Sequence, residues 1–164
     1  MLKDNGGTAN GGQDASFILS FNISVQDEYT SWRQEFFSAT ELADNSISGP
    51  LADPDFDGSS NLLEYAIGRS PRVGDGSAVT AGTVVSGGQQ YLSLSYTRPV
   101  PARSLLSIDV TRSTSPALTG WVPGQVVTHS VVPGPGALET VTVRSVQPIA
   151  SGLADYLRLQ VVQP

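Results

Sequence analysis

The chain has 164 residues, of which 39% are hydrophobic and only 15% charged, with a net charge of −6 and no cysteine. That length fits one domain or one and a half; the low charge excludes a disordered chain, and the missing cysteine excludes both a disulfide framework and thiol chemistry. No apolar run approaches a membrane span, and no basic stripe with interleaved aromatics marks a nucleic-acid surface.

Residues 1–75 hold 12 acidic and 4 basic side chains, whereas residues 76–164 hold 3 acidic and 5 basic, so the acidity is local. The opening Met1-Leu2-Lys3-Asp4-Asn5-Gly6-Gly7 lacks the apolar stretch of a signal peptide. Two expectations follow: a cytoplasmic protein, or a piece of a longer one whose export signal lies elsewhere. Beyond the Gly6-Gly7 and Gly11-Gly12 turns, Phe17, Leu19, Phe21, Ile23 and Val25 alternate with mostly polar neighbours, the period-two pattern of a half-buried strand. Residues 1–25 are therefore read as a β-strand arm, too small to bury its own apolar face without a packing partner.

Residues 26–75 read as a helix followed by a metal loop. Tyr29, Trp32, Phe36 and Phe37 share one helical face. Ser31 with Gln34 resembles a capping box, and Asp27 is an equally good starting residue. Trp32 and Phe36 suit a sugar-stacking platform, but at helical spacing the core is the better reading.

The stretch Asp53-Pro54-Asp55-Phe56-Asp57-Gly58-Ser59-Ser60-Asn61-Leu62-Leu63-Glu64 satisfies the D-x-D-x-D-G-x5-E calcium-loop pattern throughout. Ca²⁺ takes about six to eight oxygen ligands, so a chain that binds it must wrap around it. The pattern assigns Asp53, Asp55 and Asp57 as side-chain ligands and Gly58 as the sharp turn. It also assigns Ser59 through its backbone carbonyl, Asn61 directly or through water, and Glu64 in bidentate fashion. A solvated acidic turn is the competing reading, but it leaves three crowded carboxylates to repel one another. Gly49-Pro50 bars an entering helix. The exiting helix starts near Ser60, carries Leu62, Leu63, Tyr65, Ala66 and Ile67, and stops at Gly68 with Pro71 beyond. A two-helix calcium segment is the expectation.

Residues 76–164 read as a β-domain with strands near Thr83–Val85, Tyr91–Thr97, Leu105–Arg112, Gln125–Ser130, Glu139–Arg144 and Tyr156–Val162, separated by Gly and Pro turns. Six short strands without a helical period predict an antiparallel, immunoglobulin-like β-sandwich with Trp121 plugging its core. Catalysis is not expected. His129 is the single histidine, no G-x-S-x-G elbow or phosphate-cradling loop occurs, and Asp109, Glu139 and Asp155 read as solvated strand charges.

Two stretches resemble known families. Residues 2–25 resemble the closing strands of cadherin-like or immunoglobulin-like repeats in very large bacterial surface proteins. Residues 32–71, from Trp-Arg-Gln-Glu-Phe-Phe to Glu-Tyr-Ala-Ile-Gly-Arg-Ser-Pro, resemble a C-terminal calcium-loop module of secreted bacterial proteins, with the single-helix loop of dockerins and thrombospondin type-three repeats. Phe56 departs from that pattern, where such loops often have Gly or Asn. The resemblance implies the C-terminal region of an exported multidomain protein, located extracellularly or at the cell surface. It also implies a calcium-stabilised structural subunit that self-associates head to tail through residues 1–25 or contacts neighbouring domains. A carbohydrate- or protein-binding adhesion module, or a sorting and anchoring domain, is the alternative.

Overall fold

The computed structural model describes residues 27–77, 79–103, 105–150 and 154–162. The arm read at residues 1–25 lies outside them. Four helices precede six strands: α1 Glu28–Phe36, α2 Ala39–Leu42, α3 Asn45–Ser48 and α4 Asn61–Ile67, then β1 Val79–Ser86, β2 Gln89–Pro99, β3 Ser107–Ser113, β4 Val126–Pro133, β5 Leu138–Ser145 and β6 Tyr156–Val162. The fold is mainly β, with antiparallel sheets and a few short helices.

The two-helix expectation becomes four helices, two of them single turns. Asp27, not Ser31, caps α1, its carboxylate accepting from the Thr30 N–H at 2.6 Å. The capping box belongs instead to α2, where Ser38 and Glu41 bond reciprocally. Helix α1 ends at Phe36, and Phe37 follows in extended backbone yet stays buried beneath the Arg72 guanidinium, 4.4 Å from its ring centroid. Gly49, extended at the end of α3, stops that turn before Pro50.

Tyr29, Trp32, Phe37 and Tyr65 form one core, with Phe36, Leu42, Ile47, Leu62 and Leu106 around it. Trp32 stacks on Tyr29 with centroids 5.7 Å apart and meets Tyr65 at 5.4 Å, so its rings pack internally and offer no platform to a sugar.

Each of the six strands overlaps the segment read for it, though β1 runs over Val79–Ser86 where only Thr83–Val85 was expected. They form a four-stranded sheet in the order β1-β2-β5-β4 and a two-stranded sheet β3-β6, with every pairing antiparallel. Gly87 and Gly88, both at positive φ, make the two-residue turn between β1 and β2. Leu94, Tyr96, Val141 and Val143 of the wider sheet meet Val110 of the narrower one, with Ile108, Leu157 and Leu159 packed beside them. Trp121 is not the expected plug. It is half-buried at the margin, its indole N–H donating to the Leu118 carbonyl while Arg158 covers its ring at 4.5 Å. Two strand carboxylates are also paired rather than merely solvated: Asp155 with Arg112 at 2.7 Å and Glu139 with Arg98 at 2.6 Å.

Helix α4 joins the two cores. Leu62 and Tyr65 face the aromatic cluster, while Leu63 and Ile67 face the sheets. The Ile67 carbonyl accepts from Thr97 Oγ1 at 2.8 Å, and Gly68 closes the helix in the left-handed region at φ 76°. Ile67 has no exposed surface. Ile67→Ala is expected to lower the unfolding free energy by about 2–5 kcal/mol in urea titration, because a fully enclosed site collapses poorly; a loss below about 1 kcal/mol would show that the two cores are joined elsewhere.

Candidate metal centre

Residues 50–64 fold back on themselves before any side chain is considered. The Asn61 N–H donates to the Ala52 carbonyl at 2.8 Å and the Leu62 N–H to the Pro50 carbonyl at 3.0 Å, closing the base of the loop onto the first turn of α4. The aspartates then organise the interior. Asp53 accepts from the Asp57 N–H at 3.2 Å and the Gly58 N–H at 2.9 Å, and Asp57 accepts from the Ser59 N–H at 2.8 Å. Gly58 sits at φ 90°, the sharp turn that the spacing requires.

Phe56 is at φ 61° and 89% exposed. Its departure from the Gly or Asn usual in such loops therefore has a backbone counterpart. The position is left-handed, a conformation that costs a bulky residue roughly 1–2 kcal/mol.

The fold brings Asp53, Asp55 and Asp57 together: one carboxylate oxygen from each lies within 4.8 Å of the others, and the three could hold a metal ion. Glu64 is not part of that tight set, although it faces it. It has no exposed surface, and neither of its carboxylate oxygens has a hydrogen-bond partner. Burial first, then the charges of Asp55, Asp57 and Asp53, push its carboxyl up to about 8. Burial raises Asp55 as well.

Asn61 is divided between two tasks. Its Nδ2 donates to the carbonyls of Ile47 at 3.0 Å and Gly49 at 2.8 Å, which fixes the amide against the end of α3. Its Oδ1 is buried and unpartnered. Asp55 Oδ2 and Asp57 Oδ2 are likewise buried without a donor. Ser59, expected to serve through its carbonyl, is 3% exposed.

Burying an acceptor without a donor costs about 1–3 kcal/mol, and more when it is charged. Five such oxygens on four neighbouring side chains would each gain a partner from a cation, and the three aspartates beside them could hold one. The donors are all oxygen, which fits a hard cation and disfavours a soft one.

Two neighbours of the loop carry no signal in its spacing. Gly74 passes so close that a Cβ built on it would stand 3.4 Å from the Asp55 carbonyl oxygen. Asp75 adds its charge to the field at Glu64 and is held by Arg69 at 2.6 Å. Both belong to the chain returning after α4; the Gly after Val73 was the one available hint.

His129 is exposed at the β4 bulge, between Thr128 and Ser130. No helix among the described residues is long and apolar enough to cross a membrane. Comparison of the chain with protein-family models, curated proteins and solved structures finds no match.

Proposed function

We propose that this chain is a non-enzymatic, calcium-stabilised structural module of the extracellular space or cell surface, an immunoglobulin-like sandwich with a helical calcium segment. We further propose that it assembles head to tail by β-strand addition through residues 1–25, as a filament-forming or surface subunit. The observation that carries the reading is the set of five buried, unpartnered oxygens on Asp55, Asp57, Asn61 and Glu64.

Ca²⁺ suits that set because it accepts seven or so oxygens in irregular geometry, including a bidentate carboxylate; Mg²⁺ demands a near-ideal octahedron and keeps its waters. On this reading Asp53, Asp55, Asp57, Asn61 and Glu64 ligate through side chains and Ser59 through its carbonyl. A single site of this kind fills where calcium is abundant, outside the cell. A structural role follows from its position. The ion would offset half of the negative charge in the loop that starts α4, and α4 contributes Tyr65 to one core and Ile67 to the other. An ion so placed fixes a joint; it has no groove to open. Neighbouring domains of a longer surface protein are the other partners that the reading allows.

Calcium at about a hundredfold excess over its Kd is expected to stabilise the fold by roughly 2.7 kcal/mol, a rise in Tm of about 5–10 °C by differential scanning fluorimetry. Asp55→Ala combined with Glu64→Gln abolishes that rise. A Tm indifferent to both calcium and chelator would rule the staple out.

The pH dependence has a definite sign. Without calcium, the Glu64 carboxyl is raised to about 8 in the fold, so the stability it contributes is full below its unfolded value of 4.5 and is lost as pH climbs toward 8. Glu41, held down to about 2 chiefly by its hydrogen bond with Arg72, titrates outside this window. In chelator, the urea midpoint is therefore expected to fall between pH 5 and pH 8, and Glu64→Gln to flatten that fall. With calcium present the same carboxylates must be ionised, so the gain from calcium grows over the same interval.

Electron microscopy tests the assembly. Filaments are expected from the full chain in calcium, and their loss on chelation or on removal of residues 1–25. Monomers under every condition would defeat the filament reading while leaving the calcium reading intact.

A further inference from the structure

The two sheets differ in width, four strands against two. Core contacts run chiefly from β2 and β5 to β3 and β6; among the described residues of β4, only Val126 at its start packs against that core. Val131 sits opposite Val141 in the β4–β5 ladder and so shares its face, yet Val131 is 44% exposed and Val141 only 3%. Between β3 and β4 lies a cleft of about 680 Å³, with Ile108 and Val110 on one wall, Val126 and Val131 on the other, and Val141 and Val143 at its floor. Strand β3 pairs with β6 on one side; among the described residues its other side makes a single bridge, Arg112 with Val122, at the far end. The cleft thus has the apolar floor and the open backbone edge that a further strand requires.

We propose that residues 16–25 of this chain are that strand, adding antiparallel to the free edge of β3 and laying Phe17, Leu19, Phe21, Ile23 and Val25 over the inward valines of β4. Three observations single out this occupant. First, the segment Ser16–Val25 carries no charge, and its five apolar positions from Phe17 to Val25 alternate with neighbours that are polar except for Ile18, as suits a strand covered on one face. Second, its ten residues span roughly 33 Å, enough to run the length of seven-residue β3. Third, the chain arrives at the correct end. Asp27 caps α1, and Glu28 borders the same depression as Val100, Arg103 and Leu138. Leu106, next to the start of β3, packs on the Tyr29 cluster. A strand leading into Asp27 therefore runs toward the end where β3 begins, which makes it antiparallel to β3 and extends the narrow sheet by the stronger kind of pairing.

The groove takes this strand from its own molecule or from a neighbour. Its link to the proposed filament rests on that assembly reading, which needs the neighbour's strand.

The absence of cysteine makes the test clean. Asp109→Cys, on exposed β3, is combined with Ser20→Cys or with Asn22→Cys in the full chain and oxidised gently. Thr83→Cys on β1, the free edge of the wider sheet, carries the same arm cysteines as a control. Disulfides need Cα atoms within about 7 Å, so only a true neighbour reacts. The β3 pairs are expected to form disulfides about tenfold or more in excess of the β1 pairs, as held neighbours do. Bonds between chains, increasing with protein concentration, support both the groove and the filament. Bonds within single chains at every concentration support the groove and overturn the filament. Yields equal to the β1 control overturn the groove, whether or not filaments form.

Discussion

Helix α4 is the constraint on which the rest of this molecule depends. It is seven residues long, too short to be stable alone, and it survives because both of its faces are buried. Leu62 and Tyr65 enter the aromatic cluster, while Leu63 and Ile67 enter the sheets. Its first turn carries Glu64, enclosed and without a donor for either carboxylate oxygen. The element that unites two cores therefore begins at the least comfortable charge in the chain. A cation bound in the loop would offset that charge at the start of the helix both cores share.

The β-domain stands on different terms. Its wider sheet pairs β1, β2, β5 and β4 in turn, with a bulge in β4 at His129, and Arg98–Glu139 and Arg112–Asp155 tie neighbouring strands and loops by close ion pairs. None of this involves the acidic loop. A metal held in the loop would thus act on the segment from α3 to the chain just beyond α4, while the sheets supply the wall against which that segment is set.

Much of this was legible in the sequence, because alternation is a strong local signal. Leu92, Leu94 and Tyr96, or Leu157, Leu159 and Val161, specify a strand without reference to anything distant. Gly68 ended α4 for an equally local reason. What stayed hidden depends on partners far along the chain. Phe37 looked helical because its spacing fits the face of Trp32, yet its backbone is extended and tertiary burial alone keeps it inside. Trp121 looked like a plug because tryptophans usually are, but Arg158, on β6, takes its ring at the margin. The unequal width of the two sheets has no signature in any single strand. Within the loop, spacing predicted which residues converge, and three aspartates do. It said nothing of Gly74, which reaches the loop only through the return of the chain after α4.

The divided side chain of Asn61 explains why this position is an amide and not a fourth aspartate. An aspartate would have the same shape but no hydrogen to give, so the carbonyls of Ile47 and Gly49 would lose their donor. It would also raise the loop and Glu64 from four carboxylates to five, leaving a divalent ion to offset less than half of the charge. Deamidation, the ordinary chemical ageing of asparagine, introduces that extra carboxylate as aspartate or isoaspartate. Asn61 opens α4 with no exposed surface, a setting in which water and backbone freedom for that reaction are scarce.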